Sequence, residues 1–485
     1  MAAFTEQSSE KLEQIIDPEI CAKFGVESLR DKQEEVLQHL MSKSDVLAIL
    51  PTGFGKSLIY QIFPHVLETP SCVLIVSPLV SLMKDQIDRL TLLGFSAKMA
   101  RDIQIDRKLP TYIYGTPEDY LQGTKHTFID MLHQHHGDKI VLLVVDEVHT
   151  IPKWGEISDA NNKSRRKAQE GAFRAYFSHV GELRSFFPGV VVLALTATAS
   201  KGLQNQIKES LIIPDCKVVN VCPNRDNIRL SVLKIQRDIP STFYWMVDKL
   251  REDQHEFPRT IVYCSSIDAT GTLYHFFKEE YPQSVDYIGM YHSETDNTVQ
   301  ESHLKEFTKL STSNLRLIFC TTALGMGIDM KSTYHVLHYG PSFYLESYIQ
   351  ESGRVGRDGK PSHAVLFYHG GMLRDICPKL KSYVKNDTLC RRVKLFEDFA
   401  SSKDLSVLKN KESHHNCCDI CERNCSCSNC DSHANYIEKY MVHYCADTES
   451  DESSDDTGSL ESDSVLADSS QSSCSHESLE ADQTE

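Results

Sequence analysis

Long apolar runs are missing from this 485-residue chain. No stretch approaches the ~20 consecutive apolar residues that a bilayer-spanning helix needs, so no membrane role is expected. The first residues, MAAFTEQSSEKLEQ, lack the basic, apolar, small-residue order of a secretory signal, which points to an intracellular address. Tryptophan is scarce, with two residues in all. Lysine and arginine are absent from residues 447–485, where thirteen Asp and Glu stand among serines with no aromatic. Such a segment has little apolar surface to bury and is expected to be disordered. It reads as a solvating tail, with docking of a basic protein as the alternative. Without it, 55 acidic residues face 51 basic ones, so the net charge of −17 belongs mostly to the tail. A near-neutral body does not exclude a polyanionic partner.

Cysteine is not scarce. Six of the sixteen lie between Cys417 and Cys430, and in an intracellular chain such clustering favours a metal over disulfides. Short β-branched runs alternate with helix-like stretches: VLAIL (46–50), CVLIVS (72–77), IVLLVVD (140–146) and VVVLALT (190–196). The pattern resumes with TIVYCS (260–265), LRLIFCTT (315–322) and AVLFY (364–368). Continuous apolar strands of this kind predict an α/β fold with parallel sheets covered on both faces. Two similar lobes are expected, 1–225 and 226–370, then a cysteine-bearing region, 371–445, and the acidic tail, 446–485.

Between the first strand and a helix lies PTGFGKS (51–57). Thr52, Gly53 and Gly55 leave backbone N–H groups free to converge on phosphate oxygens. Lys56 is placed to neutralise the β- and γ-phosphates of ATP, and the Ser57 hydroxyl to ligate Mg²⁺. Leu50 stands where the leading glycine of the strict pattern belongs, so an ordinary glycine turn is the alternative for this motif alone. About ninety residues on, LLVVDEVHT (142–150) sets Asp146 and Glu147 at a strand exit. Asp146 is suited to hold Mg²⁺, and Glu147 to receive a proton from attacking water. In QESGRVGRDG (350–359), Gln350, Arg354 and Arg357 offer groups that reach the γ-phosphate from the second lobe. The arginines share a side if this stretch is helical.

These motifs, in this order, resemble the RecQ family of superfamily 2 DNA helicases over about residues 15–425. The resemblance rests on LRDKQEEVL (29–37), LPTGFGKSLIYQ (50–61), VSPLVSLMKDQIDRL (76–90), VVDEVHTIPKWG (144–155) and ALTATA (194–199). It continues in IVYCSS (261–266), FCTTALGMGID (319–329), SYIQESGRVGRDGKP (347–361) and LCRR (389–392). It implies two tandem RecA-like P-loop lobes, ATP with Mg²⁺ between them, 3′ to 5′ movement on single-stranded DNA, and a nuclear location. By the same resemblance Arg30 and Gln33 recognise adenine, with Val26 replacing the stacking tyrosine. His149 would couple the nucleotide site to the DNA side, and Thr196 and Thr198 would link the lobes. Ser81, Lys84 and Gln86 would contact the DNA strand.

Relatives run from the WG pair almost directly into FRPxY, whereas here EISDANNKSRRKAQEGA separates Trp154–Gly155 from FRAYF (173–177). Trp154, Phe173 and Arg174 are expected to meet DNA, since aromatics stack on unpaired bases. The insertion reads as a solvated loop, as a basic cluster for DNA or nuclear import, or as a gene-model artefact. The resemblance also implies a structural Zn²⁺ held by Cys390, His415, Cys418 and Cys421, with Cys417 as a second candidate for the fourth ligand. Cys425, Cys427 and Cys430 read as replacement ligands, as part of a second zinc site with His433, or as reactive thiols, with no second site favoured. The stretch after residue 445 is too short for the winged-helix domain of many relatives. The expected function is an ATP-dependent DNA helicase acting on 3′-tailed or forked duplexes in repair, recombination or replication. A DNA clamp that hydrolyses ATP without unwinding is the alternative, and an RNA helicase ranks last.

Overall fold

The computed structural model describes residues 18–67, 69–78, 80–104, 108–121, 127–150, 179–308, 313–325, 332–410 and 416–426. Seven strands form the first sheet: β1 Val46–Ile49, β2 Cys72–Val76, β3 Ala97–Met99, β4 Tyr112–Gly115, β5 Ile140–Val145, β6 Val191–Thr196 and β7 Lys217–Asn220. Their order is β3-β4-β2-β5-β6-β1-β7, and every pairing is parallel. Six more form the second: β8 Ile228–Lys234, β9 Thr260–Cys264, β10 Ile288–Tyr291, β11 Leu317–Cys320, β12 His335–Tyr339 and β13 Ser362–Tyr368. The order there is β10-β11-β9-β12-β13-β8, again parallel throughout.

The apolar runs are continuous because each strand feeds two cores. On β1, Val46 and Ala48 face one cluster while Leu47 and Ile49 face the other. Likewise on β9, Ile261 and Tyr263 point one way, Val262 and Cys264 the other. Each fully buried Leu or Ile in these layers contributes about 2–3 kcal/mol of transfer free energy. All seven expected strand segments are strands, and six others join them. The cysteine-bearing stretch is not an independent globule, because Leu380, Tyr383, Leu395, Phe396, Cys418 and Ile420 share one buried cluster with β8, β9 and β13. Among the described residues no helix is long and apolar enough to cross a membrane.

Candidate active site

In open parallel sheets, ligands gather at the carboxyl ends of the strands. Because β5, β6 and β1 are neighbours, the segments following them converge: Asp146–Thr150, Thr196–Thr198 and the 51–57 loop. Gly53 and Gly55 take φ of +80° and +85°, a region where a side chain is strained. Gly55 also has no room for one, since a Cβ there would lie 2.5 Å from Gln33 Nε2. The helix α1, Asp31–Met41, begins with a capping box in which Arg30 N donates to Gln33 Oε1 at 2.9 Å. Gln33 is buried and donates to Phe54 O at 3.0 Å and Gly55 O at 3.1 Å, so its amide braces the loop. Arg30 stacks on the Phe54 ring at 4.9 Å. Helix α2, Lys56–Ile62, starts at the loop, and Lys56 Nζ donates to Leu50 O at 3.2 Å.

Asp146 is buried directly behind β5. Burial, then the neighbouring Glu147 charge, raises its pKa, and Lys56 works against the rise. Glu147 moves the other way. Burial alone would raise it, but His149, Lys56 and Arg354 together hold its carboxyl well below the usual range. Glu147 also adopts φ +51°, a left-handed conformation that costs a non-glycine residue roughly 1–3 kcal/mol. Its backbone is fixed there, with Glu147 N donating to Asp146 Oδ1 at 2.9 Å and Thr150 Oγ1 donating to Glu147 O at 2.8 Å. The left-handed residue thus stands next to a buried carboxylate, Asp146, and is itself only partly exposed.

From the other lobe comes the helix α4, Leu345–Ser352; α3 is Val80–Leu92 in the first lobe. Gln350 Nε2 lies 3.3 Å from His149 Nε2 and donates to Thr198 Oγ1 at 3.2 Å. His149 Nδ1 is in turn 3.2 Å from Thr196 Oγ1 and 3.2 Å from Glu147 Oε2. One side chain of the second lobe is thus linked through an imidazole to the carboxylate at the phosphate site. Next to Gln350, Glu351 is buried against His338 Nε2 at 3.0 Å and Ser342 Oγ at 2.5 Å, which fixes α4 to the end of β12. Sequence reading had no signal for this anchor, because only burial distinguishes Glu351 from a surface acid. The helix stops at Ser352, and Arg354 and Arg357 sit in turns, so their spacing of three does not place them on one helical face. Arg354 is buried in spite of its charge and acts electrostatically on Glu147.

On α3, Ser81 and Lys84 are exposed one turn apart. Gln86 instead turns inward and accepts from Gln61 Nε2 of α2 at 2.8 Å, tying the helix expected to touch DNA to the helix of the phosphate loop. Trp154, Phe173, Arg174 and His415 lie outside the described residues. The thiols of Cys390, Cys417, Cys418 and Cys421 come within 4.8 Å of one another. Tetrahedral Zn²⁺ at ~2.3 Å from each sulfur needs S–S separations of about 3.8 Å, so an all-thiolate set fits. The Cys390–Cys417 distance is 3.6 Å. Cys417, the second candidate for the fourth ligand, is thus brought into the cluster beside Cys418, while His415 is not among the described residues.

A DEAD/DEAH box helicase domain matches residues 30–206, and a helicase conserved C-terminal domain matches 243–359. The ATP-dependent DNA helicase Q-like 2 of Arabidopsis thaliana is 31% identical over 411 residues, covering 78% of this chain and 54% of that protein. The ATP-dependent DNA helicase RecQ of Haemophilus influenzae is 28% identical over 420 residues, covering 82% and 62%. The chain carries both helicase domains and is similar to helicases of the RecQ family. It spans about half to two thirds of the length of these curated relatives. Dbp5 of S. cerevisiae bound to RNA and ADP BeF3 matches this RecQ-type chain with TM-score 0.56 at 15% identity, over 82% of this chain and 98% of that one. The DUF1998 helicase MrfA bound to DNA gives TM-score 0.57 at 16% identity, over 76% and 52%. Such likenesses speak for the fold, two RecA-like lobes. The matched domains imply ATP and Mg²⁺, and the RecQ-type site offers Lys56, Ser57 and Asp146 to hold them.

Proposed function

We propose that this protein couples ATP hydrolysis to 3′–5′ movement along single-stranded DNA and to duplex unwinding, in nuclear repair, recombination or replication. The observation that carries this reading is Gln350 of the second lobe meeting His149 and Thr198 of the first, beside the acidic pair. A bridge of this kind makes lobe closure and phosphate chemistry one event. In the proposed cycle Lys56 and the loop amides hold the triphosphate, and Ser57 and Asp146 hold Mg²⁺. Glu147 orients the water, and Arg354 and Arg357 offset charge on the departing phosphoryl group. Zn²⁺ on Cys390, Cys417, Cys418 and Cys421 would stabilise the region packed on the second lobe.

The test is ATP hydrolysis with and without single-stranded DNA or RNA, together with strand displacement on forked, 3′-tailed and 5′-tailed duplexes. DNA-stimulated hydrolysis and displacement of the forked and 3′-tailed substrates, both lost in Lys56→Ala, are expected. Hydrolysis that survives Lys56→Ala removes the site assignment. The long polar insertion between Trp154 and Phe173 favours a second reading, a DNA-bound ATPase that remodels without unwinding. Stimulated hydrolysis with no displacement on any duplex selects it.

A further inference from the structure

Residues 221–227 run from the end of the first sheet into the second, and Arg225 lies on this connector. Its guanidinium reaches beneath the turn that follows α4. NH1 donates to Gly353 O and Val355 O, each at 2.8 Å, and NH2 donates to Gly356 O. These three carbonyls bracket Arg354 and immediately precede Arg357. Asn227 adds bonds to Gly356 O and Lys360 O, each at 2.8 Å. The turn keeps backbone bonds from Arg354 N to Glu351 O at 3.2 Å, Gly356 N to Thr333 O at 2.9 Å and Gly359 N to Gly356 O at 3.0 Å, and the connector adds those to Gly353 O and Val355 O. Gly356 sits at φ +58°, and a Cβ there would collide with Ser362 Oγ and Asn227 Nδ2, so the backbone is pressed onto its supports.

Electrostatics make Arg225 an unfavourable choice unless it has this task. Burial and the nearby Arg357 charge both disfavour its cation. The carbonyl dipoles of Gly353, Val355 and Gly356 offset that penalty. The connector is in turn held from behind. Arg392, in the helix α5, Arg391–Phe396, donates through NH1 to Arg225 O at 2.8 Å and to Asn224 Oδ1 at 2.6 Å. Its NH2 donates to Ile228 O at 2.5 Å, and its Nε to Cys417 Sγ at 3.4 Å. Hydrogen bonds therefore run without a break from the cysteine cluster through Arg392 and the connector to the arginine-bearing turn.

We propose that Arg225, its backbone pinned by Arg392 to the cysteine cluster, is the positioning residue that presents Arg354 and Arg357 to the nucleotide. It touches neither nucleotide nor water and acts through the turn. The proposal rests on the reading of the cleft as an ATPase site. It adds that the cysteine cluster, on the far side of the connector, bears on hydrolysis through two guanidinium groups rather than only through stability.

The experiment measures steady-state ATPase with saturating single-stranded DNA and the affinities for ADP and for ADP with aluminium fluoride, a mimic of the planar phosphoryl group. It uses the full zinc-loaded chain and Arg225→Ala, Arg225→Lys, Arg392→Ala, Arg354→Ala and the Arg225→Ala/Arg354→Ala double variant. Arg225→Ala is expected to lower kcat about 10–100-fold, the scale of a misplaced catalytic group. Affinity for the aluminium fluoride complex should fall in step, while ADP affinity and the zinc-to-protein ratio hold. The double variant should lose less affinity for that complex than the two single losses added together, because part of the Arg225→Ala loss is the displacement of Arg354 and the rest that of Arg357. Arg225→Lys keeps the charge but cannot bridge three carbonyls, and it covers the case in which the alanine variant does not fold, with a loss in the same direction. Arg392→Ala is expected to give the same signature at about fivefold, as a weaker coupled link does.

Unchanged kcat in Arg225→Lys and Arg225→Ala overturns the proposal, as do equal losses of ADP and aluminium fluoride complex affinity or additive losses in the double variant. Unchanged kcat in Arg392→Ala overturns the anchoring half. A wild-type chain that hydrolyses ATP no faster than Lys56→Ala overturns the ATPase reading, and the proposal falls with it; wild-type hydrolysis with unaffected Arg225 variants removes only the proposal.

Discussion

The 51–57 loop of the first lobe is shaped mostly by neighbours in sequence, the arginine turn of the second by residues far apart. Pro51 to Ser57 makes a turn whose glycines set its shape, with one brace from Gln33, 21 and 22 positions away. Arg354 and Arg357 stand on a turn held by Arg225, 128 to 131 positions away, and by Asn227. A wall made locally survives as a motif in isolation. A wall made by long-range bonds exists only once the connector, the second sheet and the cysteine-bearing helices have all packed. The molecule thus pairs a preformed phosphate site with a charged turn whose placement reports on distant structure.

The largest effect expected from breaking this contrast is on turnover. Arg354→Ala should lower kcat by about 10³-fold or more while leaving ATP affinity nearly unchanged, because the group acts on charge that develops in the transition state. Equilibrium binding of a fluorescent nucleotide beside steady-state ATPase checks the split; a change of only twofold in kcat would remove the second wall from the chemistry. Next comes the cysteine cluster. Cys418→Ser removes a fully buried ligand and should drop the zinc-to-protein ratio well below one, with a loss of more than about 3 kcal/mol from second-lobe stability. Metal analysis by mass spectrometry and urea unfolding would show it.

A finer comparison lies within the arginine turn itself. Gly356→Ala forces a Cβ into occupied space at positive φ and should cost about 2–3 kcal/mol, whereas Gly359→Ala, at φ +82° but with nothing within 4 Å, should cost nearer 1 kcal/mol. Urea unfolding of the two variants measures the difference, and equal losses would mean the turn is not pressed onto its supports.

The smallest effect is pH dependence in the second sheet. His335 and His363 pair across β12 and β13 with rings stacked at 5.2 Å. Burial lowers both, His335 to about 3, helped by His363, and His363 to about 4, helped by Arg229. The unfolded chain takes up protons on these rings below about 6.5 while the folded lobe does not. Their contribution is therefore intact above about pH 6.5 and is lost as pH falls toward 4. Thermal unfolding of the second lobe between pH 7 and 5 should show the decline, and His335→Phe should flatten it; an unchanged slope would place the acid sensitivity elsewhere.

Much of the fold was legible because parallel strands buried on both faces must be apolar at every position, as in VLLVV of β5. Strands that escaped notice carry polar or aromatic residues: YIYG of β4 and HVLHY of β12 bury tyrosines and histidines that look ambivalent on paper. At the site, Lys56, Ser57, Asp146 and Glu147 announce themselves by adjacency to strand ends and glycines. Gln33 reads as a base-recognition group, yet its amide is committed to the loop carbonyls. Cys417 was harder to rank against His415, since adjacency argues against shared coordination until Cys417 and Cys418 are seen in one cluster. Glu351 and Arg392 fall within motifs that give no hint of their buried partners, and Arg225 falls in none.

What the sequence determined by itself is whatever depends on spacing along the backbone: two parallel α/β lobes, a glycine turn ending in Lys56 and Ser57, an acidic pair at a strand exit and a CxxC pair. The tertiary structure alone decided which side chains meet across the cleft, that Glu147 is strained and held ionised, and that a guanidinium from the connector carries the arginine turn. The physical reason is that hydrogen bonds and charge interactions act over a few ångströms in space, and the pattern along the chain specifies such distances only for residues close in sequence.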